Sequence, residues 1–147
     1  MEFRIRRADA SDLPCVSSLL RLVFGRTVEI SLGRPLSAIF ESSDEMVFVA
    51  EIDAEPVGCI ICSGTEIVVL HSLGVLPRCR GRGIALSLIR AAERTARELL
   101  PEAVLAAAVV REAPHHHNRF LELGFSDAGD IGGQHLVLQK GVQGFRP

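Results

Sequence analysis

The sequence predicts a chain of the α+β class, mixed α/β, with about six to seven strands and about four helices. Short apolar or alternating runs, typical of strands, are separated by longer segments whose apolar residues recur at helical spacing. A hydrophobic fraction of 48% beside 23% charged residues indicates a folded globular protein, and 147 residues are enough for one good core. We therefore expect residues 1–147 to form a single domain, with 141–147 as a loose tail.

The first part of the chain, up to residue 62, predicts three strands and two helices. Asp9 or Ser11 can cap the first helix, and Pro14 suits its first turn. Residues 53–56, Asp-Ala-Glu-Pro, join two apolar runs and predict a hairpin. In chain order the predicted elements are a strand at 3–7, helices at 12–24 and 36–41, and strands at 46–52 and 57–62.

The rest of the chain is organised around one strand, one loop and one long helix. Glu66 opens the strand, which ends at Val75, and the helix begins at about Ile84. Pro101 stops that helix, because a proline cannot continue the hydrogen-bond ladder. The later predicted elements are a strand at 104–110, a helix at 114–123 that ends at Gly124, and short strands from 125 and over 134–139.

The loop between this strand and this helix has the chemistry of an anion site. Gly81 and Gly83 precede the helix and would let a phosphate approach the main chain without a Cβ in the way. The first N–H groups of a helix lack partners within it, and the helix dipole adds positive potential there. Three arginines, Arg78, Arg80 and Arg82, surround the same point. The loop therefore predicts a pyrophosphate site.

Two common pyrophosphate motifs fit this loop poorly. A nucleotide-triphosphate loop needs four residues between its glycines and then Gly-Lys-Ser/Thr, and this loop has neither the spacing nor the lysine. A Rossmann fingerprint needs a third glycine where Leu86 stands. A tight turn that binds no ligand is the structural alternative.

A third motif fits. The pattern Arg78-x-x-Gly81-x-Gly83 directly follows a strand that ends Leu-Gly-Val and precedes an Ile-Ala-Leu helix start. It resembles the acetyl-CoA motif of the GNAT superfamily of N-acetyltransferases, Arg/Gln-x-x-Gly-x-Gly/Ala. Residues 123–125, Leu-Gly-Phe, match the Leu-Gly-Phe that follows the last helix of that family. The resemblance covers residues 3–140.

The resemblance implies a central mixed, mostly antiparallel sheet flanked by helices, and a cytoplasmic enzyme that can form homodimers. It implies an acyltransferase that moves an acetyl group directly from acetyl-CoA to a primary amine of a small molecule or peptide, with no metal. The family's strand before the loop splays from its neighbour, which would leave the main chain of Leu73, Gly74 and Val75 to hold the pantetheine and the acetyl group. The implied pyrophosphate contacts are Arg78, Arg80, Gly81, Arg82, Gly83, Ile84, Ala85 and Leu86.

The sequence departs from the family pattern at the proton donor. Many members carry a tyrosine five residues before the phenylalanine of Leu-Gly-Phe, and here that position is Phe120 in a chain without tyrosine. Phe120 could still cover the pantetheine as an apolar wall. The asparagine seven residues earlier is replaced by Ala113, although Asn118 could contact the cofactor if the helix register is shifted. The alternatives to an active enzyme are a module that binds CoA or acyl-CoA without transfer, and a small nucleotide-binding domain.

Three residues are candidates for the general base. His71 lies on the strand before the loop, at an alternation position shared with Leu73 and Val75, and a histidine pKa near 6.5 suits a base at neutral pH. Glu66 at the start of that strand could act through a water. His117 lies three residues before Phe120 on the last helix, so it could share the face of that ring.

His116, four residues before Phe120, is the other histidine that could share its face. A histidine that is only hydrogen-bonded in the core is the structural alternative for His71, and a solvated charge is the alternative for Glu66. Adjacent histidines on a helix point about 100° apart, so His115, His116 and His117 cannot all bind one metal.

Composition excludes several classes of partner. A net charge of −2 argues against a general nucleic-acid binder, and without an apolar run near 18 residues we expect no membrane span. The N-terminus lacks the apolar segment of a signal peptide. Cys59 and Cys62 stand three apart on a predicted strand, so they should point to opposite faces and share neither a metal nor a disulfide.

Overall fold

The computed structural model describes residues 2–24, 30–31, 34–110, 114–131 and 135–140. Within these residues the four helices and seven longer strands lie where the sequence predicts them, and two two-residue strands lie between the first two helices, where the sequence predicts no strand. The helices are α1 (Leu13–Phe24), α2 (Leu36–Glu41), α3 (Ile84–Leu99) and α4 (Pro114–Glu122). The strands are β1 (Arg4–Arg7), β2 (Ile30–Ser31), β3 (Arg34–Pro35), β4 (Glu45–Ile52), β5 (Glu55–Ser63), β6 (Ile67–Val75), β7 (Val104–Val110), β8 (Ser126–Ile131) and β9 (His135–Lys140).

Seven strands form one mixed, mostly antiparallel sheet, in the order β1-β4-β5-β6-β7-β9-β8. All neighbours pair antiparallel except β6 and β7, which pair in parallel and are joined through α3. The predicted fold class is therefore confirmed. Asp53 and Ala54 both have positive φ, 52° and 67°, as expected for the two-residue turn that joins β4 to β5.

Helices cover both faces of the sheet, which places the core on either side of β4 and β5. Helices α1 and α2 pack against each other and the sheet, and α3 and α4 do the same. A Cβ built at Gly74 would meet Val23 of α1, whereas one built at Gly58 would meet Ile84 and Leu88 of α3, so α1 and α3 lie on opposite faces. Every residue of β4 is buried, as a doubly covered strand requires. None of the helices described is both long and apolar enough to cross a membrane.

The parallel pair β6 and β7 separates halfway along. Their register runs from Ile67 opposite Val104 to Leu70 opposite Ala107 and stops there. Farther on, Ala108 and its successors in β7 pair with β9, while the end of β6 pairs with β5. A wedge therefore opens between the two strands toward the loop before α3, which is the splay that the resemblance implies.

A β-bulge interrupts β6 at the mouth of this wedge. Cys59 pairs with Gly74 and Ile61 pairs with His71, so two residues of β6 stand opposite one residue of β5. Ser72, the first of the two, has a φ of 55° in the left-handed region. Bulges are common next to active sites, where they redirect side chains.

The bulge changes the face on which His71 lies. The predicted alternation placed His71 with Leu73 and Val75, and this prediction was wrong because the extra residue shifts the period. Cys59 and Ile61 are two apart on β5 and share a face, so their partners Gly74 and His71 share one too. That face is covered by α1, whereas Val75 lies on the α3 side.

Candidate functional site

The two glycines of the loop are required by their backbone conformation. Gly81 and Gly83 have φ values of 82° and 83°, which strain any residue with a side chain. A Cβ built at either glycine would meet no described atom within 4 Å. The loop is therefore uncrowded: space lies in front of its main chain, and a ligand can occupy it.

The N-terminus of α3 offers main-chain donors to that space. Gly83 is the N-cap, no described side chain caps the helix, and its first turn holds no acidic residue. The N–H groups of Ile84, Ala85 and Leu86 belong to the first turn, where a helix supplies no internal partners. Ser87 N–H begins the ladder by donating to the Gly83 carbonyl at 3.0 Å. The residues present thus fit a diphosphate held by amides.

Arginines surround the same loop. Arg78 Nη2 lies 3.1 Å from Glu55 Oε2 in an ion pair whose side chains are both more than half exposed. Such pairs contribute little to stability, so this guanidinium can exchange its partner for a phosphate. Arg80 Nε donates to the Val75 carbonyl at 3.2 Å, which fastens the loop to the end of β6. Arg82 is exposed between the two glycines.

The predicted floor of the site lies at the end of β6. Leu73, Gly74 and Val75 are buried, and they lie beyond the point at which β6 stops pairing with β7. The strand therefore presents main-chain groups on its β7 side, where the wedge is open. This is the arrangement in which a strand can hydrogen-bond an extended amide-bearing ligand.

Helix α4 places its histidines in different surroundings. His116 is 3% exposed and shares the interior face of the helix with Phe120, four residues later. His117 lies elsewhere, with Nε2 2.7 Å from Asp127 Oδ1 of β8. Asn118, two residues from His116 and Phe120, is exposed on the opposite side of the helix. His117 thus bonds β8, and Asn118 lies on the exposed side of α4.

Phe120 is completely buried and packs against Phe125, with ring centroids 5.1 Å apart and nearly perpendicular planes. The ring supports α4 from within, and in this structure none of it faces an open groove. The position of the predicted asparagine match, Ala113, lies outside the described residues.

His116 is held in its neutral form. Burial, together with the neighbouring His115, Arg80 and Arg119, lowers its pKa to about 3. Helix α4 contacts α3, the helix that the glycine loop precedes. His116 is therefore a buried, neutral imidazole, and its spacing of four from Phe120 was the sequence signal for its burial.

His71 belongs to a buried chain of polar groups that sequence analysis missed. His71 is 2% exposed and Glu45 is 5% exposed. Ser63 Oγ donates to Glu45 Oε2 at 2.7 Å and lies 2.8 Å from His71 Nε2. His71 Nδ1 lies 2.9 Å from Ser72 Oγ. The four residues come from three neighbouring strands, so no local pattern could have joined them.

Glu66 lies away from this chain. It is exposed just before β6, and its carbonyl accepts from Val104 N–H. Eight residues of strand separate it from Gly74, roughly 25 Å at the rise of an extended chain. The structure therefore brings His71 to the open end of β6 and leaves Glu66 at the other end. Within the described ranges, no three His, Cys, Asp or Glu side chains are grouped as metal ligands.

Several solved acetyltransferases share this fold. The PaiA N-acetyltransferase of Thermoplasma acidophilum, in complex with coenzyme A, has a TM-score of 0.79 at 17% identity, covering 96% of this chain and 99% of that one. The ribosomal-protein-S18-alanine N-acetyltransferase of Escherichia coli has a TM-score of 0.76 at 13% identity, with 96% and 94% covered. The spermidine/spermine N-acetyltransferase SpeG of Vibrio cholerae has a TM-score of 0.70 at 18% identity, with 97% and 96% covered. At these identities the similarity establishes the fold.

The family is identified from the sequence itself. No curated protein is detectably similar to the chain in sequence. The model of the acetyltransferase (GNAT) family, however, matches residues 16–125, which include the glycine loop, both flanking elements and α4. The chain belongs to the acetyltransferase (GNAT) family and is an acyltransferase.

Proposed function

We propose that this enzyme transfers an acetyl group from acetyl-CoA directly to a primary amine of a small molecule or peptide. The observation that carries the proposal is the uncapped start of α3. Two left-handed glycines precede it, open space lies in front of it, and the β6–β7 wedge lies beside it. Amides and positive charge bind the diphosphate of CoA in this arrangement.

The residues proposed to hold acetyl-CoA form two groups. The main chain of residues 73–75 faces the wedge and would bind the pantetheine amides and the acetyl carbonyl. The diphosphate would lie on the loop and the first turn of α3. The contacts proposed there are Arg78, Arg80, Gly81, Arg82, Gly83, Ile84, Ala85 and Leu86.

Proton removal from the amine is the harder requirement of this reaction. A lysine-like amine of pKa about 10.4 needs roughly 4–5 kcal/mol to lose its proton at neutral pH. The leaving thiol, of pKa about 8.5, needs only about 2 kcal/mol to leave as a thiolate. A base therefore contributes more than a proton donor, and the replacement of the tyrosine by Phe120 is tolerable. Of the three predicted bases, geometry favours His71 over Glu66 and His117.

The acceptor would approach from the face covered by α1 and α2. His71 lies on this face, and the corresponding helical region of the family borders the acceptor site. The structural neighbours named above are named for different amines, spermidine and spermine in one case and an alanine of ribosomal protein S18 in another. We therefore expect the acceptor to be an amine, its identity set by residues 25–45 and by the end of the chain. Pairing of two copies stays a prediction of the resemblance, which sedimentation velocity would test.

Calorimetry with acetyl-CoA, followed by thiol release in the presence of an amine panel, tests the proposal. The panel contains spermidine, kanamycin, a peptide with N-terminal alanine and a peptide with an internal lysine. We expect the wild-type chain to bind acetyl-CoA at tens of micromolar or below, and to release CoA thiol with at least one amine. Binding without thiol release, or no binding, would contradict the proposal.

The variant Gly83→Val locates the site. It places a branched side chain in the open space before α3 and should raise the Kd for acetyl-CoA at least about 100-fold by blocking the amides. The matched control is Gly124→Val, which changes a glycine with a φ of 95° at the end of α4. Both variants carry similar backbone strain, about 1–2 kcal/mol. Equal losses of binding in the two variants would show that strain, and not the loop, is responsible.

A further inference from the structure

We infer that Glu45, Ser63, His71 and Ser72 form a proton relay across β4, β5 and β6, in which Ser72 is the catalytic group that takes the proton from the acceptor amine. The inference rests on the proposed acetyl transfer and adds three residues to it. Within the relay Glu45, Ser63 and His71 act through Ser72 and are positioning residues.

With Glu45 ionised and the His71 ring neutral, the hydrogen bonds of the chain have one direction. The Glu45 carboxylate can only accept, so Ser63 gives it the single hydrogen of its hydroxyl at 2.7 Å. Ser63 Oγ can then only accept from His71 Nε2, at 2.8 Å, which makes Nε2 the protonated nitrogen of the neutral ring. His71 Nδ1 is consequently an acceptor, and the Ser72 hydroxyl donates to it at 2.9 Å. Every donor in the chain points toward Glu45.

Burial determines which member can meet a substrate. His71 and Glu45 are 2% and 5% exposed, so neither ring nor carboxylate reaches an incoming amine. Ser63 and Ser72 are both half-buried, but Ser63 already bonds Glu45 and His71, whereas Ser72 lies next to Leu73 and Gly74 where β6 leaves β7. The acceptor proton must therefore enter the chain through the Ser72 hydroxyl.

The backbone at Ser72 supports a functional role. A serine at φ 55° inside a strand is strained, and a glycine would relieve the strain. Serine at this bulge instead keeps its hydroxyl within hydrogen-bond distance of Nδ1. Residues held in such sparsely populated conformations cluster at active sites.

The proton step balances as follows. The acceptor ammonium first gives one proton to solvent, and as the resulting amine nitrogen bonds to the acetyl carbon, its surplus proton moves to Ser72 Oγ and the Ser72 proton moves to His71 Nδ1. The C–S bond breaks and its electron pair stays on sulfur, so the products are an amide, a thiolate and an imidazolium. The imidazolium, stabilised through Ser63 by the Glu45 carboxylate, later returns its extra proton through Ser72 to the thiolate or to water.

Nitrogen-15 spectra of the histidine rings test the hydrogen-bond direction without any substrate. With the His71 signals assigned by their loss in His71→Gln, we expect Nε2 protonated and Nδ1 unprotonated in the wild-type chain. Ser63→Ala should produce a mixture of the two tautomers, because it removes the acceptor that fixes Nε2–H. A wild-type ring protonated on Nδ1 would overturn the relay.

Kinetics test the relay itself, using the panel amine with the fastest wild-type rate. Ser72→Gly removes the hydroxyl and relieves the backbone, so the fold should persist while kcat falls about 100-fold or more, as expected for lost general-base catalysis. Glu45→Gln and Ser63→Ala should lower kcat about tenfold, and Ser63→Thr, which keeps a hydroxyl, should restore most of the rate. KM for acetyl-CoA should change less than about threefold throughout.

Matched controls separate this relay from general damage. Ser18→Ala removes an exposed hydroxyl from α1 and Glu98→Gln an exposed carboxylate from α3, and both should keep the wild-type kcat. If the wild-type chain uses acetyl-CoA and the Ser72→Gly variant keeps full activity, the relay is overturned and the proposed function stays intact. A wild-type chain that fails to bind acetyl-CoA would overturn the proposed function, and the relay with it.

Discussion

The two halves of the proposed site, one for the cofactor and one for the acceptor, are built from different parts of the chain. The cofactor half uses main-chain amides and glycine conformations of residues 73–86, which are contiguous in sequence. The acceptor half uses the side chains of Glu45, Ser63, His71 and Ser72, which three strands bring together. Main-chain binding tolerates most side-chain changes, whereas the acceptor half depends on each side chain. The comparison explains how one fold can keep a single cofactor and serve many acceptors.

The largest expected effect separates glycines that serve the fold from those that serve the ligand. A Cβ at Gly64, where φ is 112°, would lie 2.1 Å from the Ile67 carbonyl oxygen, so Gly64→Ala forces the backbone to move. We expect it to lower the free energy of unfolding by about 3 kcal/mol or more in urea denaturation. The control, Gly81→Ala, has similar strain but open space around it and should lose about 1 kcal/mol. Equal losses of unfolding free energy in the two variants would contradict the view that Gly64 serves the fold and Gly81 the ligand.

The same contrast decides what sequence analysis could find. The strand, loop and helix around Gly81 and Gly83 are adjacent in the chain, so hydrophobic period and glycine spacing were enough to predict them. The face of His71 was predicted wrongly because the bulge at Ser72 changes the period, and a bulge leaves no mark in a hydrophobic pattern. The link from His71 through Ser63 to Glu45 was missed because it comes from strand register alone.

Helix α4 shows an intermediate case. Helical spacing predicted that either His116 or His117 shares the face of Phe120. Packing then selected between them, because His117 bonds Asp127 while His116 is buried. Local periodicity predicts which side chains are candidates, and tertiary contacts select among them.

The second prediction concerns the stability of the protein in acid and its dependence on His116. Burial holds the pKa of His116 at about 3, against an ordinary value of 6.5, so the unfolded chain takes up a proton first. Stability should therefore fall as pH falls from 6.5 toward 3, by about 2–3 kcal/mol at pH 4.5. His116→Leu removes this titration, and its free energy of unfolding should depend correspondingly less on pH between 7 and 4.5.

The loss of stability that His116 causes in acid can be separated from the loss caused by the ion pair of Arg6 and Asp12. Arg6 Nη2 lies 2.8 Å from Asp12 Oδ1, and hydrogen bonding to the guanidinium lowers the pKa of Asp12 below its ordinary 3.8. The stability from this pair is present above pH 3.8 and is lost as pH falls through the lower, folded value. Loss between pH 6.5 and 4.5 that persists in His116→Leu would contradict the assignment to His116.

The smallest effect tests whether the charges of the cofactor half act on the ligand or on the fold. Arg78→Ala removes an exposed ion pair with Glu55 and should change the free energy of unfolding by less than about 0.5 kcal/mol. The Kd for acetyl-CoA should nevertheless rise roughly fivefold, about 1 kcal/mol, and become less sensitive to salt, because one phosphate contact is gone. Arg21→Ala makes the same charge change at an exposed position of α1 and should leave the Kd and its salt dependence unaltered. If the two variants weaken binding equally, the arginines act through net charge, and Arg78 makes no contact with the diphosphate.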